Sequence, residues 1–158
     1  MLRYLKQCTI LLWLPFASMA SDAPKKTVVD LANLKPLKWQ HRIILIQEES
    51  MSDSPAITTS ALSQLKQAEA AINERHVIWF ILTTDGVKSN YSGTITPELK
   101  THLNKIYFSN NQNPTTAVLI GKDGYVKKRT KQLELQTFFD LIDSMPMRQS
   151  EISDQIGS

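Results

Sequence analysis

The hydrophobic positions of the chain fall into short apolar runs and into stretches with helical spacing. The runs Ile43–Ile46, Val77–Leu82 and Thr115–Ile120 predict buried strands, because they are rich in β-branched and other large apolar residues. Val77–Leu82 is apolar at every position, as in a strand that is covered on both faces. An Asp-Gly turn within Lys122–Gly124 precedes a second β-rich run, Tyr125–Thr130, and therefore predicts a hairpin.

Three amphipathic helices are predicted between and after these strands. The first two begin after a hydroxyl residue followed by proline, at Ser54 and Thr96, which is a common helix start. Pro146 ends the third helix. Their apolar stripes recur every three or four residues: Ala61, Leu65, Ala68 and Ile72; Leu99, Leu103, Ile106 and Tyr107; and Leu135, Phe138, Ile142 and Met145.

The resulting order is strand, helix, strand, helix, strand, strand, helix, as in a thioredoxin-like α/β domain. Since crossovers are right-handed, we expect parallel first strands in a central mixed sheet of about four strands flanked by helices. Pro114 precedes the third strand, where thioredoxin-like proteins typically have a cis-proline, so the Asn113–Pro114 bond is predicted to be cis. Asp85–Ile95 is expected to be a polar loop, Trp39 to pack on the core, and Met147–Ser158 to be a polar tail.

The first 20 residues have the features of an export signal. Arg3 and Lys6 give a positive start, Thr9–Ala17 is a short apolar run, and Ser18 and Ala20 are the small residues that cleavage after Ala20 requires. An uncleaved membrane anchor is the alternative, which the shortness of the run disfavours. We expect a periplasmic or secreted protein with a signal peptide over 1–20, a flexible leader over 21–30, a thioredoxin-like domain over 31–148 and a polar tail over 149–158.

Cleavage changes what the composition implies. The 18 basic residues include Arg3 and Lys6, so 16 remain against 15 acidic ones, and the charge does not favour nucleic-acid binding. The single cysteine, Cys8, leaves with the signal, which excludes thiol–disulfide exchange and peroxidase chemistry for the mature chain. Histidines 41, 76 and 102 lack the spacing of a metal site, so neither a metal nor another cofactor is expected.

A resemblance to a known family rests on three segments: Trp39–Ile46 (WQHRIILI), Leu119–Arg129 (LIGKDGYVKKR) and Asp143–Arg148 (DSMPMR). The chain resembles the secreted bacterial proteins of the domain of unknown function 4174 family. The second and third segments, in this order, are the more specific ones, and the similarity extends over Leu31–Glu151. The resemblance implies an exported thioredoxin-like protein, and it supplies no catalytic residue because the family has no assigned activity.

The loop after the first strand is one candidate binding site. Helix N-terminal N–H groups beside Ser52, Asp53 and Ser54 could hold a polar ligand, with Pro114 and Thr115 opposite. In the competing interpretation, which carries more weight, Asp53 or Ser54 only caps the helix.

The basic hairpin is another candidate. Alternation along its second strand predicts that Lys127 and Arg129 share one face, near Lys122, where a phosphate, a sulfated glycan or an acidic partner would dock. In the competing interpretation, an edge strand uses its lysines to prevent pairing with a second copy.

Two further arginines need partners. Arg42 enters the first strand, where a buried guanidinium requires an acidic side chain or a ligand. Arg148 follows Pro146 and is expected to pair with Asp143 or with the last carbonyls of the third helix, with recognition of a partner as the alternative role.

Two functional hypotheses from different classes follow. The first is a non-redox binding or scaffold module of the cell envelope. Its partner is expected to be an envelope or extracellular protein or an anionic ligand. Binding to nucleic acid is not expected, and neither is a membrane span after cleavage of the signal. The second is an enzyme for a small anionic substrate, such as a phosphorylated one, acting through Arg42, Lys122, Lys127 and Arg129. A deep pocket that holds two or more of these cations favours the enzyme, and a flat lysine-covered edge favours the scaffold.

Overall fold

A five-stranded mixed sheet lies at the centre of the part of the chain that the computed structural model describes, residues 30–47, 56–109 and 116–157. In chain order the strands are β1 (Arg42–Gln47), β2 (Val77–Thr83), β3 (Gly86–Ser89), β4 (Ala117–Ile120) and β5 (Val126–Thr130). Across the sheet they follow the order β3-β2-β1-β4-β5. β1 and β2 are parallel, and the other neighbouring strands are antiparallel. The predicted thioredoxin-like class, the parallel pair and the hairpin are thus confirmed.

Helices cover both faces of the sheet. They are α1 (Ala56–Gln67), α2 (Glu69–Glu74), α3 (Pro97–Leu103), α4 (Leu135–Asp143) and α5 (Pro146–Ile156), with a 3-10 turn at Lys35–Leu37 and a π-helical turn, Asn104–Phe108, that continues α3. Within the described ranges, none of these helices is long and apolar enough to cross a bilayer.

The core has two layers because side chains alternate along each strand. Ile44 and Ile46 of β1 face α1, α2 and α4, whose stripe residues include Leu65 and Phe138. Ile43 and Leu45, with their neighbours on β2 and β4, face α3 and the segment before β1, where Leu31, Leu37, Leu99 and Leu103 are buried. The predicted stripes of α1 and α4 therefore lie on the first layer of the core.

β3 corrects the prediction of a polar loop over Asp85–Ile95. Its residues pair antiparallel with Phe80–Thr83 at the end of β2. Beyond β3, Ser89 Oγ donates to the carbonyl of Trp79 at 2.6 Å, and Asn90 Oδ1 accepts from the Trp79 N–H at 2.8 Å. Because polar side chains satisfy the backbone of β2 there, this edge of the sheet forms without an apolar run.

Two residues expected in the core are exposed instead. Trp39 is 61% exposed and has a left-handed φ of 67°, while its N–H donates to the carbonyl of Lys122 at 2.6 Å. Ile106 is 51% exposed because it lies in the π-helical turn, whose wider spacing carries it off the stripe that contains Leu99 and Leu103.

The segment expected to be a polar tail forms α5. Pro146 is the first residue of this helix, where its missing N–H costs no helical hydrogen bond. Arg148, in the first turn, is the buried residue of α5, and Glu151 lies one turn later. These two side chains connect α5 to the start of the sheet.

Candidate functional site

Two arginines are the largest fully buried side chains of the described residues. Arg42, the first residue of β1, and Arg148, in α5, are each 1% exposed. Burying a guanidinium without compensation is costly, so each requires carboxylates or carbonyls at hydrogen-bond distance. Of the two partners that the sequence allowed for Arg42, an acidic side chain or a ligand, the structure shows an acidic side chain.

The partner of Arg42 is Glu151, which the sequence analysis did not name. Arg42 Nη1 and Nη2 donate to the two carboxylate oxygens at 3.0 and 3.2 Å, in a bidentate pair. Lys122 Nζ lies 2.7 Å from Oε1 of the same carboxylate, and Arg148 Nη1 lies 3.9 Å from Oε2. We call these four residues the Glu151 cluster.

A second set of contacts fixes Arg148. Its Nε lies 3.3 Å from Asp143 Oδ1, as expected from the sequence, and its Nη1 donates to the carbonyl of Glu74 at 3.1 Å. Its Nη2 also donates to the Glu74 carboxylate. Asp143 accepts from Arg75 as well, whose guanidinium stacks on Phe139 at 4.8 Å from the ring centroid. Arg148 thereby joins α5 to the end of α2.

His76 borders the cluster immediately before β2. Its backbone has a left-handed φ of 51°, and its Nδ1 lies 3.1 Å from Lys122 Nζ. Since an ammonium can only donate, the contact assigns Nδ1 as an acceptor in a neutral ring. Burial and the charge of Lys122 lower the pKa of His76, against the attraction of Glu151.

Two carboxylates of this network, those of Glu151 and Asp143, are held in their charged form. Burial opposes ionisation of Glu151, but hydrogen bonds from Arg42 and Lys122 outweigh it and lower its pKa. Asp143 behaves alike: burial is opposed by hydrogen bonds from Arg75 and Arg148, and its pKa is lowered. Carboxylates of this kind are weak proton acceptors, so the arrangement favours fixing charges over moving protons.

A cleft of about 250 Å³ opens beside the cluster, between the hairpin turn and the start of α5. Arg42, Lys122 and Lys127 line this cationic cleft together with Met145, Pro146 and Met147. Each of the three cations already lies close to a carboxylate, because Lys127 Nζ is 2.6 Å from Asp123 Oδ2. Arg42 Nε, by contrast, is buried without a hydrogen-bond partner among the described residues.

The structure brings together only part of the predicted site. Arg42 and Lys122 meet at Glu151, and Lys127 lies at the same cleft. Arg129 instead donates to the carbonyl of Tyr107. Lys127 is an extra residue in a β-bulge, since Leu119 pairs with Lys128 and Ile120 with Val126. The remaining predicted residues lie outside the described ranges; they are Ser52, Asp53, Ser54, Pro114 and Thr115. The Asn113–Pro114 bond, predicted to be cis, lies outside them as well.

The observed cluster lies at the opposite end of β1 from the predicted loop site. Arg42 pairs in register with Val77, so the cluster is at the amino ends of the parallel strands. The missed residue, Glu151, follows Arg148 by three positions, which is one turn of α5. Reading a helix start at Pro146 would have placed both side chains on one face. Within the described residues, no group of three or more His, Cys, Asp or Glu side chains is arranged to hold a metal ion.

Comparisons with known proteins give one family and a fold. The model of a domain of unknown function, DUF4174, matches residues 33–151. Among solved structures, the chain is similar to the reduced 2-Cys peroxiredoxin of Plasmodium vivax, with 16% identity, a TM-score of 0.53, and 74% of this chain and 84% of that chain covered. It is also similar to the mitochondrial 2-Cys peroxiredoxin of Plasmodium falciparum, with 14% identity, a TM-score of 0.48, and 73% and 80% covered. No curated protein matches the sequence.

The similarity to the Plasmodium vivax peroxiredoxin shows the fold alone, because only 16% of aligned residues are identical. The name of that protein refers to two cysteines, whereas the 158 residues of this chain contain one, Cys8.

Proposed function

The chain belongs to the DUF4174 family and has a thioredoxin-like fold, and from this premise we propose that it is an exported, non-redox binding module of the cell envelope. The proposal concerns a surface around the hairpin turn. Its partner is an envelope component with an apolar part and a negative charge.

The carrying observation is a group of exposed apolar side chains at this turn. Tyr125 is 69% exposed, and Val126 follows it at 39%. Ile106 lies at the cleft that Tyr125 borders, and Trp39 flanks the same lysine, Lys38, as Tyr125 does. Exposed apolar side chains that cluster and are flanked by charged residues are typical of interaction surfaces.

The pairing of the basic residues supports a binding module over an enzyme. An enzyme for an anionic substrate needs cations that are available to the substrate. Glu151 already compensates Arg42 and Lys122, Asp123 compensates Lys127, and Arg129 is held by a backbone carbonyl. These interactions explain the buried and half-buried cations as parts of the fold.

A capture experiment tests the proposal. The purified protein is immobilised, incubated with an extract of its native envelope, and compared with the double variant Ile106→Ser/Tyr125→Ser. We expect the double variant to lose most of the captured material, because it removes the apolar part of the surface. Ile156→Ser is the matched control, since Ile156 is 82% exposed at the far end of α5. Equal capture by all three proteins would contradict the proposal.

The cationic cleft supports a second candidate function, an enzyme for a small anionic substrate. Arg42, Lys122 and Lys127 line one cleft, which is the feature expected above for the enzyme rather than for the scaffold. In addition, Arg42 Nε has no hydrogen-bond partner among the described residues. If this function holds, phosphate and pyrophosphate raise the melting temperature above that in sodium chloride of equal ionic strength, and Lys127→Met reduces the effect. Identical melting temperatures in these salts would eliminate this candidate.

A further inference from the structure

A second cleft, of about 320 Å³, lies on the other side of the hairpin turn. Leu34, Ile43 and Ile120 contribute to its lining, and Ile106 and Tyr125 border it as exposed side chains. We call it the apolar cleft. Its volume and its largely hydrophobic lining are those of a small-molecule site at the lower end of the usual range, about 300–1,000 Å³.

The rim of the apolar cleft carries positive charge. Lys35 and Lys38 line it, and neither forms a salt bridge with a described residue. Among the described residues that line the cleft, Asp123 alone is acidic. Its carboxylate contacts Lys127 Nζ at 2.6 Å and accepts from the Tyr125 N–H at 3.1 Å. The local excess of charge is therefore positive and comes from the two lysines.

The backbone beside the rim is strained. Trp39 has a φ of 67°, which is a genuine outlier for a bulky residue. This conformation exposes the indole and keeps Lys38 Nζ 5.2 Å from its ring centroid, while the Tyr125 centroid is 5.9 Å away on a separate element. Strain of this kind persists where the surrounding structure imposes it, and it concentrates at binding sites. The Lys38 ammonium thus lies close to two aromatic rings at the cleft.

We propose that the apolar cleft binds a small monocarboxylate with an aliphatic or aromatic body. The body lies on the apolar lining, and the carboxylate meets Lys35 and Lys38 at the rim, where charge-assisted hydrogen bonds form. This inference rests on the proposed binding function and adds the chemical class of the ligand. It differs from the cationic cleft, whose charged groups are already paired.

Calorimetric titration with octanoate tests the charge requirement, with 1-octanol as a neutral probe of the same chain length. We expect octanoate to bind more tightly than octanol. The variant Lys35→Met/Lys38→Met should weaken octanoate binding by about tenfold or more and leave octanol unchanged. Lys66→Met is the matched control, because Lys66 is an exposed lysine on α1, away from the cleft. Equal affinity for both probes, or octanoate binding that survives loss of both lysines, would overturn the proposal.

Two further variants locate the site. Ile106→Ser should weaken both octanoate and octanol, because it reduces the apolar surface that they share. Trp39→Asn should weaken octanoate without lowering the melting temperature, since asparagine tolerates a left-handed φ. Chemical-shift changes on octanoate addition should map to the residues of the apolar cleft, and a map centred elsewhere would refute the site. If octanoate fails to bind while envelope capture still depends on Ile106 and Tyr125, the ligand class is wrong and the binding function stands.

Discussion

The two sides of the hairpin turn differ in whether their charges are paired and in how much apolar surface they expose. Gly121 and Asp123 border both clefts, so a few residues separate them. On one side, Glu151 compensates Arg42 and Lys122, and the cations are largely buried. On the other side, apolar and aromatic side chains are exposed and the lysines lack acidic partners among the described residues.

This difference distinguishes residues that stabilise the fold from residues that are available to bind a partner. A buried charge whose partners lie within the same domain is explained by the fold, and its presence is weak evidence for a substrate. Exposed aromatic residues beside uncompensated lysines have no such explanation within the described chain. The basic residues singled out by sequence therefore fall mainly on the structural side, and the surface proposed for binding lies across the turn.

The largest expected effect comes from removing the charge of Glu151. Glu151→Gln keeps the size of the side chain and leaves Arg42 and Lys122 without their counter-charge. We expect a loss of about 3 kcal/mol in the free energy of unfolding, the usual cost of breaking a buried pair from one side. Urea denaturation measures it.

The control for this variant is Asp154→Asn, which removes an exposed carboxylate from the same helix. It should change the free energy of unfolding by no more than roughly 0.5 kcal/mol. If the two variants had the same free energy of unfolding, the Glu151 cluster would not be what stabilises this side of the fold.

Low pH should destabilise the protein mainly through the carboxylates on the side of the Glu151 cluster. The folded-state pKa values of Glu151 and Asp143 are lowered, so their contribution is fully present above the unfolded-state values, about 4, and is lost as the pH falls through the folded-state values. Unfolding free energies measured along this acid range should fall steeply for the wild-type protein and less steeply for Glu151→Gln. Parallel curves would show that Glu151 does not contribute to the acid sensitivity.

On the side of the apolar cleft, substitutions should change the free energy of unfolding only slightly. Trp39→Asn relieves the left-handed strain and should raise the free energy of unfolding by about 0.5 kcal/mol. Lys38→Met should change it by less than roughly 0.5 kcal/mol, since Lys38 is exposed. A clear loss in either variant would mean that this side also holds the fold together.

The smallest effect is a change in the titration of His76. Burial and Lys122 lower its pKa in the folded protein, so Lys122→Met should raise it, helped by the remaining attraction of Glu151. The imidazole signals of His76 in a nuclear magnetic resonance titration report this value. An unchanged pKa in the variant would show that the contact between Lys122 and His76 is not maintained in solution.

The local pattern of apolar residues and turn residues was sufficient to predict the strands β1 and β2 and the hairpin. The apolar run of β2 predicted burial on both faces, and the right-handed crossover from β1 to β2 predicted the parallel pair, which the structure contains. The Asp-Gly turn formed as predicted, and Gly124 adopts the positive φ, 80°, that such a turn requires.

The remaining features depend on contacts between distant segments. β3 pairs with the end of β2, and the side chains of Ser89 and Asn90 satisfy the backbone of Trp79 beyond that ladder; hydrophobic periodicity reveals neither contact. Glu151 lies in a polar helix whose single buried residue is Arg148, so hydrophobic spacing gave no signal. Ile106 is displaced by a π-helical turn that its sequence spacing does not announce.

Envelope capture by two variants compared side by side tests the central claim most directly. Both are assayed where unfolding measurements show them folded: Glu151→Gln, from the structural side, and Ile106→Ser/Tyr125→Ser, from the binding side. We predict that Glu151→Gln captures as much material per folded molecule as the wild-type protein, and that the double variant captures little. Capture that is lost with Glu151→Gln and retained by the double variant would contradict the account.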